Sequence, residues 1–226
     1  MDSYQVLVRE KQIQQDMNYK NHIILEYTIK YPSFISGTYY NMMSKLNSLY
    51  RTQALMYQKN NVMNLYQMAM ADYEYSMNHD YPLRKFEAYV NYEVTYNQDC
   101  ALSLYIDQYE YSGGAHGLTV RSSDTWDLRR SRRLDLSDLY PEGSNYKEMI
   151  IADIIRQIEI QISLGNGMYF ENYKQLVQDT FKPGNYYLTP EGVAIYFQQY
   201  DIAPYASGIP VFIIPYSSQG PVQPSC

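Results

Sequence analysis

The sequence is poor in the residues that most often carry chemistry. It holds three histidines, two cysteines and one tryptophan in 226 residues. His22, His79 and His116 lie far apart and share no spacing that builds a site. No paired Cys or His has zinc spacing, and the P-loop, G-x-G-x-x-G and G-x-S-x-G patterns are all missing. The chain is therefore read as non-enzymatic, with no cofactor and no metal. Of the two cysteines, Cys226 is the terminal residue, so a disulfide framework is not expected and the redox compartment stays open. No apolar run reaches the roughly 18 residues of a membrane span, and MDSYQVLVREKQIQQ has no apolar stretch of signal-peptide length. The location expected of the sequence as it stands is cytoplasmic.

Tyrosine is abundant instead: 28 residues, against 6 Phe. Its ring suits half-buried strand surfaces and binding faces where one end stays wet. A hydrophobic fraction of 46% with 19% charged residues is that of a soluble globular protein. A net charge of −6 argues against nucleic-acid binding, which needs cations to displace counterions from phosphates. It favours a basic partner, because opposite fields speed encounter.

Residues 1–20 are polar and read as a short strand or a loosely held arm. From His22 the period is two, with Ile23, Leu25, Tyr27, Ile29 and Tyr31 on one face and Ile24, Glu26, Thr28 and Lys30 on the other, which predicts a strand. Residues 38–79 contain no Gly or Pro, and their apolar residues recur at threes and fours. This predicts one long helix, or two joined near Lys59-Asn60-Asn61. Alternation from Phe86 to Tyr96, then Leu102, Leu104 and Ile106, then Leu118, Val120 and Trp126 gives three more strands. Their short connections imply antiparallel pairing. The fourth strand is expected to break near Ser122-Ser123.

Four arginines between Arg129 and Arg133 read as a solvated hairpin tip rather than a phosphate site, and Asp124, Asp127, Asp135 and Asp138 are expected to scatter. Ser144 is the expected N-cap of a helix whose apolar stripe includes Ile150, Ile154 and Ile158, stopped at Gly165-Asn166-Gly167. A shorter helix follows and ends at Pro183-Gly184. Thr189-Pro190-Glu191-Gly192 is a hairpin turn, and Ile209 to Ile214 reads as an inner strand. The fold class is α+β: a mainly antiparallel sheet packed against helices, including one long N-terminal helical segment.

The stretch with most functional promise is YIDQYEYSGGAHGLTV, Tyr105 to Val120, a wide hairpin loop bearing three glycines and His116. Glu110 and His116 flank it and admit an acid–base pair, or a histidine that only packs on its loop. Tyr109-Glu110-Tyr111-Ser112-Gly113-Gly114-Ala115-His116-Gly117 resembles the Y-x-Y-x-G-G-A-H-G element of the RsiV-type anti-sigma-V domain, which also precedes the catalytic part of PdaC-type deacetylases. Tyr187 through Gly208, with Ile214-Pro215-Tyr216 after it, is similar to that family's closing block.

The resemblance divides the chain into an arm (1–19), a PdaC-type N-terminal α+β region (20–110), an RsiV-type C-terminal α+β region (111–216) and a disordered tail (217–226). It implies a domain that works outside the cell, where RsiV-type members bind lysozyme. As it stands the sequence contains no sigma-binding segment, membrane helix or deacetylase domain. Arg129 to Arg133 also replaces the family's shorter turn. The expected function is thus recognition of a basic protein such as a lysozyme, with a cell-wall glycan module or an unrecognised hydrolase as the alternative. Gly113, Gly114, His116, Tyr200 and Tyr205 are the candidate binding residues.

Overall fold

Lys20 and Asn21 reverse the chain with φ of 45° and 66°, and Asp99 and Cys100 do the same at 51° and 59°. Two successive left-handed residues match the right-handed twist of flanking strands, so each pair closes a tight hairpin. The first hairpin joins β1 (Leu7–Tyr19) to β2 (His22–Ile35), and the second joins β3 (Phe86–Gln98) to β4 (Ala101–Tyr111). A computed structural model describes residues 5–226, and residues 1–4 of the expected arm lie outside the described residues. The described part of that arm is mostly a 13-residue strand, paired antiparallel with β2 from Leu7↔Ile35 to Tyr19↔His22. Charged and amide side chains suit it, because an edge strand that carries charge resists pairing with a second chain.

The chain falls into two compact units that are interleaved in sequence: residues 6–92 with 106–120, and residues 93–105 with 121–226. They do not follow a consecutive division at residue 110. The first unit has nine Asp or Glu and nine Lys or Arg; the second has fourteen acidic against nine basic side chains. They are called the neutral and the acidic unit below.

In the neutral unit, α1 (Tyr40–Tyr57), a π-helical turn (Gln58–Val62) and α2 (Met63–Asn78) form one continuous helical run, with the π turn at the predicted junction. This run lies between β2 and β3 in the chain, and the two strands pair in parallel from Leu25↔Phe86 to Ile29↔Val90. A returning helix is the kind of connection that parallel strands require. The core joins Leu25, Tyr27 and Ile29 to Tyr57, Val62, Leu65 and Tyr73, and to Phe86, Ala88 and Val90.

In the acidic unit, β5 (Leu118–Asp127) crosses Ser122-Ser123 without a break, because Ser123 turns its hydroxyl inward onto the Tyr186 carbonyl, 2.5 Å away. The strand then pairs with β6 (Arg132–Arg133). Next come α3 (Tyr146–Ser163), α4 (Tyr173–Thr180) and a second sheet of β7 (Tyr186–Leu188), β8 (Gly192–Tyr196) and β9 (Val211–Pro215), in the order β7-β8-β9. β9 is thus an edge strand rather than an inner one, and β8 is the central strand, buried along its whole length. The Gln157 amide on α3 donates to the Ile213 carbonyl at 2.9 Å, satisfying part of the edge that β9 leaves open. Ile150, Ile154 and Ile158 of α3 pack with Val193, Ile195 and Phe212. Ser144 does not cap α3: Asn145 holds the N-cap position without a side-chain bond.

The tail is tied down, not disordered. Val222 N–H donates to Leu139 O at 2.7 Å, Ser217 N–H to Pro221 O at 3.1 Å, and Cys226 forms a disulfide with Cys100. The expectation of unpaired cysteines is overturned because the left-handed Asp99-Cys100 turn presents Cys100 to a terminus already held by backbone bonds. Among the described residues, no helix is long and apolar enough to cross a membrane.

Candidate functional site

Each unit carries one of the two loops that the sequence singles out. In the neutral unit, the loop after β4 rests on a network built by the π turn. The Tyr57 hydroxyl donates to Glu110 Oε1 at 2.8 Å, and Asn61 Nδ2 donates to the same oxygen at 3.1 Å. Tyr57 and Asn61 are four residues apart in the helical run, so they share a face and meet one acceptor. Burial and the neighbouring Glu110 carboxylate push the Tyr57 phenol well above its ordinary value. Gln58 Nε2 donates to the Tyr27 hydroxyl at 2.7 Å, and that hydroxyl donates onward to Gln15 at 3.1 Å.

Two glycines of this loop are structural. Gly113 has φ +86°, and its carbonyl accepts from the Arg84 guanidinium. A Cβ on Gly117 would overlap the Tyr109 ring and lie 2.6 Å from Glu110 O. Gly114 is open, with its nearest neighbour 3.9 Å from a Cβ position. His116 Nδ1 lies 3.1 Å from the Gly117 carbonyl, so the imidazole folds over its own loop, while Glu110 is committed to Tyr57 and Asn61.

In the acidic unit, residues 197–208 link β8 to β9 and hold Tyr200 and Tyr205, whose rings lie 6.0 Å apart. Tyr200 is 47% exposed and adopts φ +69°, a conformation that a bulky side chain rarely takes. It is enforced from both sides: Gln198 N–H donates to Asp201 Oδ2 at 2.8 Å, and Asp201 N–H donates back to Gln198 O at 3.1 Å. The Gln198 side chain pairs with both backbone groups of Arg121, at 2.9 and 2.7 Å, as another strand residue would. The Arg121 guanidinium lies 3.7 Å from the centre of the Tyr105 ring, a cation–π contact that fixes both groups. Ala206 and Ser207 line one side of an open groove of about 470 Å³ whose other walls include Gln161, Tyr169 and Val211.

The candidate residues thus form two sets: Gly113, Gly114 and His116 on one loop of the neutral unit, and Tyr200 with Tyr205 on one loop of the acidic unit. The sequence reading missed Tyr57, Asn61 and Arg84, which hold the first loop from positions far away in the chain. The Lys59-Asn60-Asn61 irregularity in the helix was the available signal. Three aspartates of the arginine hairpin each pair with a different arginine: Arg133 with Asp124 at 2.9 Å, Arg132 with Asp138 at 2.7 Å and Arg130 with Asp127 at 3.5 Å. Among the described residues, no group of three or more His, Cys, Asp or Glu side chains is placed to hold a metal ion.

The geometry can be set beside known proteins. Residues 18–119 match the family described as Deacetylase PdaC, and residues 137–217 match Protein of unknown function (DUF3298). The peptidoglycan-N-acetylmuramic acid deacetylase PdaC of Bacillus subtilis is 22% identical over 134 residues, which are 51% of this chain but only 29% of that protein. A DUF3298 protein of Bacteroides fragilis superposes with a TM-score of 0.72 at 20% identity, over 96% of this chain and 92% of that one. A second, from Pseudomonas aeruginosa, gives 0.57 at 16% identity over 93% and 90%. The two structures share the fold. Residues 18–119 are thus a PdaC-type region and residues 137–217 a DUF3298 domain.

Proposed function

We propose that this chain is a non-catalytic recognition domain that works outside the cytoplasm, and that its acidic unit binds a basic protein. The observation that carries the reading is where the charge lies. The neutral unit balances its acids and bases, whereas residues 93–105 with 121–226 carry a five-charge excess of acid. Much of that excess is unspent. Glu142, Glu148, Glu171 and Glu191 are exposed and make no ion pair among the described residues. Such a field raises encounter rates with a cationic partner and sets specificity more than affinity. Tyr200, half exposed and held in one conformation, supplies a preorganised aromatic contact of the kind that dominates interfaces.

The Cys100–Cys226 disulfide supports an oxidising compartment over the cytoplasm. The likeness to RsiV-type domains makes a lysozyme the first partner to try. Calorimetry with a strongly basic lysozyme is expected to give heat at low salt and at least about tenfold weaker binding at high salt. Reversing two charges, in the Glu148→Lys, Glu171→Lys double variant, is expected to slow association. Absence of heat with every basic protein at low salt would sink the reading.

A further inference from the structure

The C-terminal end of α2 carries a group of rings that neither loop uses. Tyr75 and Tyr81 are 55% and 52% exposed, and His79 between them is exposed as well. Tyr75 and His79 stack with centroids 4.2 Å apart and planes 28° from parallel. Tyr81 lies 5.8 Å from Tyr75 and 6.2 Å from His79, at 29° and 14°. Three near-parallel aromatic rings in solvent are an unusual surface for water to wet.

The arrangement is built by the backbone. Tyr75 and His79 are one helical turn apart and so share a face. Asp80 takes φ +54° and ends the helix, returning the chain so that the His79 and Tyr81 N–H groups both reach Ser76 O, at 3.3 and 3.0 Å. His79 Nδ1 lies 2.8 Å from Tyr75 O, and since a carbonyl only accepts, Nδ1 carries the proton and Nε2 of the neutral ring is left as an acceptor. The rings are thus held by the helix end itself.

We propose that Tyr75, His79 and Tyr81 form a stacking platform for a neutral saccharide. The C–H bonds on one face of a pyranose are weakly positive and seat on the negative face of an aromatic ring. Around the rings stand the groups that sugar hydroxyls need: two phenol hydroxyls, His79 Nε2 and the Asp80 carboxylate, none of which has a hydrogen-bond or ion-pair partner among the described residues. This alternation of flat apolar faces and polar edges disfavours a purely apolar partner. Of the exposed apolar side chains nearest in sequence, Met77 falls on another side of the helix by helical spacing, and Leu83 lies beyond Pro82. Nucleotides and other anions are disfavoured because the basic residues nearest in sequence are engaged elsewhere, Arg84 with Gly113 O and Lys85 with Glu26 at 2.6 Å. The platform lies in the neutral unit, so it stands or falls separately from basic-protein recognition by the acidic one.

The test is a titration of the whole chain with chitotetraose and with cellotetraose, read by amide chemical shifts. The expected result is shifts confined to residues around 75–81. Tyr75→Ala and Tyr81→Ala are each expected to weaken binding about tenfold, with Tyr75→Phe losing clearly less because the stacking ring is kept and one hydroxyl contact goes. The exposed positions allow these variants to fold, which the unshifted amides of β2 verify. No shifts with either sugar, shifts that survive both alanine variants, or loss of binding on Tyr200→Ala alone would overturn the proposal. So would finding that the rings are covered by a second copy, seen as self-association abolished by Tyr81→Ala.

Discussion

The neutral unit closes on itself through secondary structure. β2, the helical run and β3 form a parallel crossover, and the π turn ties the helix to Glu110. The acidic unit closes differently: β8 is enclosed, α3 covers part of the open edge of β9, and a covalent bond with a few tail contacts secures its C-terminus. Both units use tyrosine hydroxyls to satisfy polar groups, as in Tyr89 with Glu26 and Tyr186 with Leu134 O, which accounts for much of the tyrosine content. The contrast teaches that the same α+β grammar can be secured by a helical return or by a terminal tie. Only the second responds to reductant.

The largest effect should come from Gly192→Ala in the acidic unit. A Cβ there would lie 2.8 Å from Ile214 C and closer still to its carbonyl oxygen, so backbone meets backbone and no side chain can turn aside. A loss of about 4 kcal/mol or more is expected, in the range reserved for unrelieved strain. Gly117→Ala in the neutral unit should cost less, because part of its clash is with the Tyr109 ring, which can swing away. Denaturant midpoints of the two variants check the order, and a larger loss at Gly117 would break it.

Reduction comes next. The Cys100–Cys226 bond spans 126 residues, and removing it is expected to cost about 2–4 kcal/mol. Trp126, the single tryptophan, lies in the acidic unit, so its fluorescence transition should move on Cys226→Ser. Amide exchange in residues 22–35 should change far less. Equal loss of protection there would erase the distinction between the two kinds of closure. A smaller effect, about 1 kcal/mol, is expected for Tyr57→Phe, because Asn61 still donates to Glu110 once the hydroxyl is gone. Loop amides at 111–117 should exchange faster in that variant.

What could be read in advance follows the same contrast. Periodicity exposes elements with one buried face, and so β2, the long helix with its junction and the turn at 189–192 were legible. β1 was legible only as one of two readings, because an edge strand buries little: Ile13, Met17 and Tyr19 pack on the core, and charged or amide residues fill much of the rest. β9 is apolar enough to read as an inner strand, although α3 rather than another strand meets its far side. The disulfide was illegible because two cysteines 126 residues apart have no diagnostic spacing. Parallel pairing of β2 and β3 depends on where a helix returns the chain, which local pattern does not encode. The glycine loop was found by its motif, but its support from Tyr57, Asn61 and Arg84 is a tertiary fact.

The smallest effect separates the units by pH. In the neutral unit, hydrogen bonds from Lys85 and Tyr89 hold the Glu26 carboxyl below its ordinary value. In the acidic unit, Arg132, with help from the Asp135 N–H, does the same for Asp138. A carboxyl depressed on folding contributes stability that is present above its unfolded pKa and is lost as pH falls through the folded one. The unfolded values are about 4.3 for Glu and about 3.9 for Asp, so Glu26 should begin to lose its contribution at slightly higher pH than Asp138. Glu26→Gln should flatten acid loss read at residues 22–35 and leave the Trp126 signal unchanged, and Asp138→Asn should do the reverse. Should either variant flatten both signals equally, the two units titrate as one body, and the difference in how they are secured would have no consequence for their response to acid.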